Sequence, residues 1–184
     1  MHEARLRALI QQDEVRMQVL ETVRSLDLPD CWVAAGFVRN PVWDHLHGHA
    51  HSPIASDVDV IWFDPARCDA AIDRHLETRL RDAAPGIDWS VKNQARMHLR
   101  NADLPYANAT DAMRFWPETA TAVAVRLRHN GHCEVAAPLG LDDLFGLVLR
   151  PTARFAQGKR ALYQERLRAK AWRLSWPLLR CEAR

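Results

Sequence analysis

Ser56-Asp57-Val58-Asp59-Val60-Ile61-Trp62-Phe63 is a β-branched run with carboxylates at i and i+2. Successive strand side chains point to opposite faces, so Asp57 and Asp59 share one face while Val58, Val60 and Trp62 share the other. The second face is apolar and expected to be buried. Two like charges held side by side repel, and each resists ionising unless a cation neutralises the pair. Mg²⁺, small and oxygen-seeking, suits that seat when water or phosphate oxygens complete its shell. Taken alone, the pair also reads as two surface acids on an edge strand, so its neighbours decide its meaning.

Upstream, Cys31-Trp32-Val33-Ala34-Ala35-Gly36-Phe37-Val38-Arg39-Asn40 is an apolar run that stops at the first glycine of the chain. The spacing predicts a strand, a tight turn and a helix to about Leu46. Gly36 has no side chain, so a phosphate can approach the backbone, and a following helix aims free N–H groups at an anion. Arg39 adds a fixed positive charge one turn in. Pro41 is expected within the first turn or so, where a missing N–H costs least.

These two segments resemble the signature of the DNA polymerase β-like nucleotidyltransferase superfamily, hG[GS], a short helix, then h[DE]h[DE]h, with a third carboxylate on a later strand. The transfer-RNA CCA-adding branch carries a GGxVRD version, and Ala35-Gly36-Phe37-Val38-Arg39-Asn40 is similar to it. Ala35 stands for the first glycine and Asn40 for the aspartate. Beyond that core the chain resembles a small bacterial family of stand-alone nucleotidyltransferase-like proteins. The matching stretches are GFVRNPVWDHLHG, SDVDVIWFD, DWSVKNQARMH, FWPETATAVAVRL and APLGLDDLFGLVLRP, spread over most of Gly36 to Pro151.

A third carboxylate is expected from Gly86-Ile87-Asp88-Trp89-Ser90-Val91-Lys92-Asn93, where Ile87, Trp89 and Val91 alternate with Asp88, Ser90 and Lys92. If that strand lies beside the Asp57–Asp59 strand, Asp88 completes a three-acid cluster. Glu134, on an alternating stretch from His132 to Ala137, is its rival. Asp64-Pro65 reads as the opening of a helix with Ile72, Leu76 and Leu80 on one stripe down to Pro85. As a right-handed crossover it leaves its two strands parallel and adjacent or nearly so. Asn130-Gly131, between Thr121 to Arg128 and His132 to Ala137, signals a hairpin. The result is an α+β fold, αβα with a mixed sheet, flanked by extra N- and C-terminal helices.

The N-terminal segments show apolar stripes at Leu6, Leu9 and Ile10 and, after a candidate N-cap at Asp13, at Val15, Val19, Val23 and Leu26. Leu141 to Arg150 reads as a helix broken by Pro151. Gln157 to Trp176 reads as a basic amphipathic helix whose polar face, Lys159, Arg160, Arg166, Arg168, Lys170 and Arg173, is most simply solvated. At 184 residues, 48% of them hydrophobic, the chain buries a core without disulfides or metal staples. It is expected to be one domain over 1–184, with a catalytic core over about 31–137 and a helical extension over about 138–184. No run reaches the ~20 apolar residues of a membrane span, and Met1-His2-Glu3-Ala4-Arg5 lacks a signal-peptide core. Four scattered cysteines fit a reducing cytoplasm, the expected location. A net charge of +2 is too small to argue for nucleic acid.

His45, His47, His49 and His51 alternate through a loop that resembles a soft-metal trap but lacks a supporting shell. Trp32, Trp62 and Trp89 read as core; Trp116, at a corner beside Pro117, reads as core or as a stacking platform.

The activity these readings imply is Mg²⁺-dependent transfer of a nucleoside monophosphate from a nucleoside triphosphate to an acceptor hydroxyl, with pyrophosphate leaving. Asp57, Asp59 and Asp88 are the expected catalytic and metal residues in a two-metal site, with Asp88 as the proton acceptor. Gly36, Arg39 and Lys92 are expected on the triphosphate. The acceptor is left open among a small molecule, a protein hydroxyl and an RNA end. The alternative is a nucleotide-binding or interaction module that kept the fold without turnover, which Ala35 and Asn40 motivate.

Overall fold

A computed structural model describes residues 1–54 and 56–182. Two N-terminal helices, α1 (His2–Gln11) and α2 (Glu14–Arg24), lead into β1 (Trp32–Ala34), α3 (Gly36–Leu46) and β2 (Val58–Trp62). Next come α4 (Ala70–Ala83), β3 (Trp89–Asn93), α5 (Gln94–Asn101), α6 (Ala109–Met113), β4 (Ala124–Leu127) and β5 (Cys133–Ala136). The C-terminal part holds α7 (Asp142–Phe145), β6 (Val148–Leu149), α8 (Ala153–Gln157), α9 (Arg160–Lys170) and β7 (Arg180–Cys181).

The main sheet runs β3-β2-β1-β4-β5. The α4 crossover makes β2 and β3 parallel neighbours, whereas β1 is antiparallel to both β2 and β4, and β4 to β5. The sheet is therefore mixed, as expected. The hairpin closes at Asn130-Gly131, with Gly131 at φ +78 and Arg128 N–H donating to His132 O at 2.9 Å. Val33, Val58, Val60, Trp62, Trp89, Val91 and Val125 point into one large core shared with α1, α2, α3 and α4. The other face begins apolar at Trp32, Ala34, Ile61 and Ala124 under α6 and turns polar toward Asp57 and Asp59. Trp32, Trp62 and Trp89 are all buried, Trp32 on the opposite face from the other two.

Asp13 caps α2 by accepting from Arg16 N–H. Pro41 sits deeper than the first turn, at the sixth residue of α3. Its missing N–H leaves the Phe37 carbonyl without an i+4 donor. Arg16, 1% exposed, supplies the substitute: its Nε donates to Phe37 O at 3.1 Å, while Nη1 reaches Ser52 O at 2.7 Å. A proline in a buried helix is thus tolerated because α2 repairs the gap.

Three element boundaries depart from the sequence reading. The helix expected from Asp64 begins at Ala70 with Asp69 as its N-cap. Asp64 instead accepts from Ala66 N–H, and the buried Asn93 side chain donates to Asp64 O and Arg67 O, each at 2.8 Å, pinning 64–69 as a loop. The helix expected over Leu141 to Arg150 ends at Phe145, because Leu147 takes φ +56 and Val148–Leu149 then pair in parallel with Arg180–Cys181. The basic helix expected over Gln157 to Trp176 shortens to α9, and Ala171 at φ +45 stops it before Trp172. Among the described residues no helix is long and apolar enough to cross a membrane.

Candidate active site

Strand alternation delivers the acid pair as the pattern requires. Asp59 lies on β2 between Ala34 of β1 and Ser90 of β3. Ala34 keeps one side low, and the Ser90 hydroxyl donates to the Asp59 carboxylate on the other. Asp57, just before β2, is exposed. Burial, followed by the Asp57 charge, pushes the Asp59 carboxyl up to about 6, against the pull of Ser90, Arg39 and Lys170.

The turn after β1 faces this pair. Ala35 holds φ +55 and ψ −122, a conformation suited to glycine. Its carbonyl accepts from Val38 and Arg39 N–H at 3.1 and 2.8 Å, starting α3. A Cβ on Gly36 would stand 3.0 Å from Ser56 Oγ and 3.5 Å from Arg39 Nη2, so the backbone here borders the cleft closely. Arg39 is 6% exposed: Nη1 donates to Thr121 Oγ1 and Nη2 to Asn40 Oδ1, both at 3.0 Å. The guanidinium lies 4.7 Å from the Trp43 ring and 4.4 Å from the Trp172 ring. Burial lowers its pKa to about 10, so it stays cationic at neutral pH.

The third wall comes from the end of the chain. Arg166 and Lys170 of α9, with Trp172 and Trp176 beyond it, close a cleft of about 270 Å³ over Gly36, Arg39, Ser56, Asp57, Asp59 and Thr121. Trp176 is fixed by donating Nε1–H to Asp44 at 2.7 Å. A second cavity, of about 230 Å³, adjoins it from the other side of Asp59 and is lined by Ser90, Lys92, Gln94, Met97, Asn101 and Trp116 among others. Trp116 is thus both packed on the smaller core and part of a cavity wall. The sequence reading did not single out Ser90, Thr121, Arg166, Lys170, Trp172 or Trp176 as site residues. The signals available were the alternation that puts Ser90 on the polar face of its strand and the four-residue spacing of Arg166 and Lys170, which puts both on one side of a helix.

The remaining candidates lie apart. Asp88 is exposed, immediately before β3, and its carbonyl accepts Val58 N–H at 2.8 Å. Among the described residues it joins no set of three carboxylate, imidazole or thiolate groups able to hold a metal, and the β3 residue beside Asp59 is Ser90. Lys92 lines the second cavity, but its ammonium is engaged by Glu77 of α4 at 2.8 Å. Glu134 stands on β5, three strands from β2, where Arg126 and Arg128 hold its carboxyl down at about 2. In the histidine loop, His47 accepts from Leu178 N–H and His49 meets Asp44 at 2.9 Å. Those imidazoles serve to dock the C-terminal segment and brace α3.

Residues 21–181 match a family described as Nucleotidyltransferase. A solved NMR structure described as a CCA-adding enzyme head domain is 34% identical, with 97% of this chain and 95% of that one covered and a TM-score of 0.87. The Thermotoga maritima CCA-adding enzyme complexed with tRNA is 16% identical, with a TM-score of 0.53 over 90% of this chain and 38% of that one. A CCA-adding enzyme in complex with CTP gives 14%, 0.51, 90% and 37%. This chain thus spans under half of those two enzymes, which share its fold. No curated protein matches it.

Proposed function

Because this chain belongs to the nucleotidyltransferase family, with the polymerase β-like head-domain fold, we propose that its cleft transfers a nucleoside monophosphate from a nucleoside triphosphate to an acceptor hydroxyl and releases pyrophosphate. The observation that carries this is the acid pair facing a wall of cations: Asp57 and Asp59 opposite Arg39, Arg166 and Lys170 in one cleft. A carboxylate pair beside a cationic pocket is what a triphosphate with its counter-ion requires.

The donor set fits Mg²⁺. Asp57 and Asp59 offer only hard oxygen ligands, and burial followed by the Asp57 charge disfavours the ionised Asp59 carboxylate that a cation would stabilise. Few protein ligands suit an ion that keeps water and phosphate oxygens, so Asp57 and Asp59 would hold it. Bound Mg²⁺ supplies charge neutralisation on the phosphates and lowers the pKa of an acceptor hydroxyl.

The chain's own groups do the positioning. Gly36 and the first N–H groups of α3 let a phosphate approach the backbone. Arg39 and Lys170 bind the β- and γ-phosphates, a role in which Lys170 replaces Lys92, already paired with Glu77. The acceptor lies in the second cavity, which meets the first at Asp59. Asp59, not the exposed Asp88, is the carboxylate placed to take the acceptor's proton.

Calorimetry with each triphosphate, with and without Mg²⁺, followed by a search for pyrophosphate release in cell extract, tests the reading. Asp57→Ala and Asp59→Ala each abolish Mg²⁺-dependent binding, whereas Asp88→Asn keeps both binding and transfer within about threefold of wild type. Retained binding in either alanine variant overturns the proposal; loss of transfer in Asp88→Asn returns Asp88 to the site. Tight binding without release in any extract favours the non-catalytic module, for which the strained Ala35 speaks. Binding of an RNA end would weaken steeply with salt.

A further inference from the structure

The two cavities overlap at Ala35, Asp59, Thr121 and Arg166. A phosphorus passing from one oxygen to another has to sit where donor and acceptor meet. Of the four side chains at that overlap, one is a carboxylate and one, Arg166, is a cation. Arg166 is held from beneath: its Nε donates to Glu118 Oε1 at 2.7 Å, and Glu118 is 0% exposed. The Trp172 ring lies 5.5 Å from the guanidinium. With Nε engaged, the two terminal amino groups of Arg166 have no protein acceptor among the described residues. Among the described residues Glu118 Oε2 also has no partner, so this acid is buried with only one of its two oxygens engaged. Removing a carboxylate from water is costly, and a packed apolar side chain would serve the core as well or better.

We propose that Arg166 binds the α-phosphoryl oxygens of the nucleotide at the junction of the two cavities, and that Glu118 is the positioning residue that fixes its guanidinium there. This rests on the nucleotidyl-transfer reading and names the group that meets the transferred phosphoryl. As the acceptor oxygen bonds to the α-phosphorus, the bond from that phosphorus to the α,β-bridging oxygen breaks. Pyrophosphate leaves with the electron pair, and the acceptor's proton passes to Asp59 or water. Charge on the non-bridging α-oxygens is met by the two free amino groups of Arg166, a fork suited to paired oxygens.

The test uses the whole chain in Mg²⁺ and measures binding of the four α,β-methylene nucleoside triphosphates and of inorganic pyrophosphate. Arg166→Ala should weaken the preferred methylene nucleotide roughly tenfold or more while leaving pyrophosphate within about twofold. Arg166→Lys, which keeps the charge and the pairing with Glu118 but loses the fork, should show a smaller loss with the same selectivity. Glu118→Gln should weaken the nucleotide by about threefold to tenfold, again sparing pyrophosphate, because the guanidinium loses its charged anchor. Thermal melts identify any variant that fails to fold, and Arg166→Lys then decides. Equal loss of both ligands, or no loss of nucleotide, in a folded Arg166 variant overturns this assignment alone. A wild-type chain that binds neither ligand overturns the transfer reading and this assignment with it.

Discussion

Ala35 is a single residue whose conformation its identity resists. At φ +55 an alanine carries a Cβ that glycine lacks, in a region costing of order 1–3 kcal/mol. Ala35→Gly should therefore stabilise the chain by about 1 kcal/mol, after the added freedom of the unfolded glycine is set against relieved strain. For a domain of this size that is a rise of about 2–4 °C in Tm, readable by calorimetry. Asp59 gives a pH signature. Its carboxyl titrates near 6 in the fold against an ordinary value of 3.8, so the folded state holds the proton more tightly. The ionised form thus weakens folding at pH above about 6, and that penalty fades as pH falls from about 6 to about 4, below which both states are protonated. Asp59→Asn should stabilise the metal-free protein by on the order of 1–2 kcal/mol at pH 8 and by almost nothing at pH 4. Denaturant melts at the two pH values check it, and an equal gain at both would contradict the assigned cause.

At the scale of elements, the short strands and α3 were legible because their patterns are local. Gly36–Leu46 follows from the glycine junction, and β2 and β3 follow from period-two alternation plus a crossover long enough to make them parallel. Boundaries failed where a distant group overruled local preference. Asp64-Pro65 has the chemistry of a helix start, yet Asn93 captures the loop behind it. Pro41 was expected within the first turn or so and lies beyond it, rescued by an arginine from α2. That rescue is testable as a cycle. Arg16→Leu should cost about 2–4 kcal/mol, because a buried carbonyl and Asp13 lose their donor. In that background Pro41→Ala should recover about 1 kcal/mol by restoring the helical N–H for Phe37 O. Strictly additive effects in denaturant melts would show that the two residues are uncoupled.

At the scale of the whole molecule, the candidate cleft closes only because residues more than a hundred positions apart are brought together. Lys170 lowers the Asp59 pKa from the far end of the chain. Lys170→Ala should raise the Asp59 titration midpoint, seen by carboxyl NMR of the metal-free protein, and leave Glu134 unmoved on its remote strand. The sequence by itself determined the α+β class, the parallel sense of β2 and β3, the hairpin and the common face of Asp57 and Asp59. Each of these follows from backbone periodicity, turn chemistry or crossover handedness, which act over a few residues or one connection. It pointed to the family as well, through the resemblance of the glycine turn and the acid pair to a known signature. Only the tertiary structure decided that Ser90 flanks Asp59 while Asp88 stays outside. It also decided that Lys92 is taken by Glu77, and that a helix readable as a solvated basic surface supplies Arg166 and Lys170 to the cleft. Strand register and side-chain pairing depend on how elements pack across the core, and a one-residue slip in either changes which charge meets the acids without altering any local pattern.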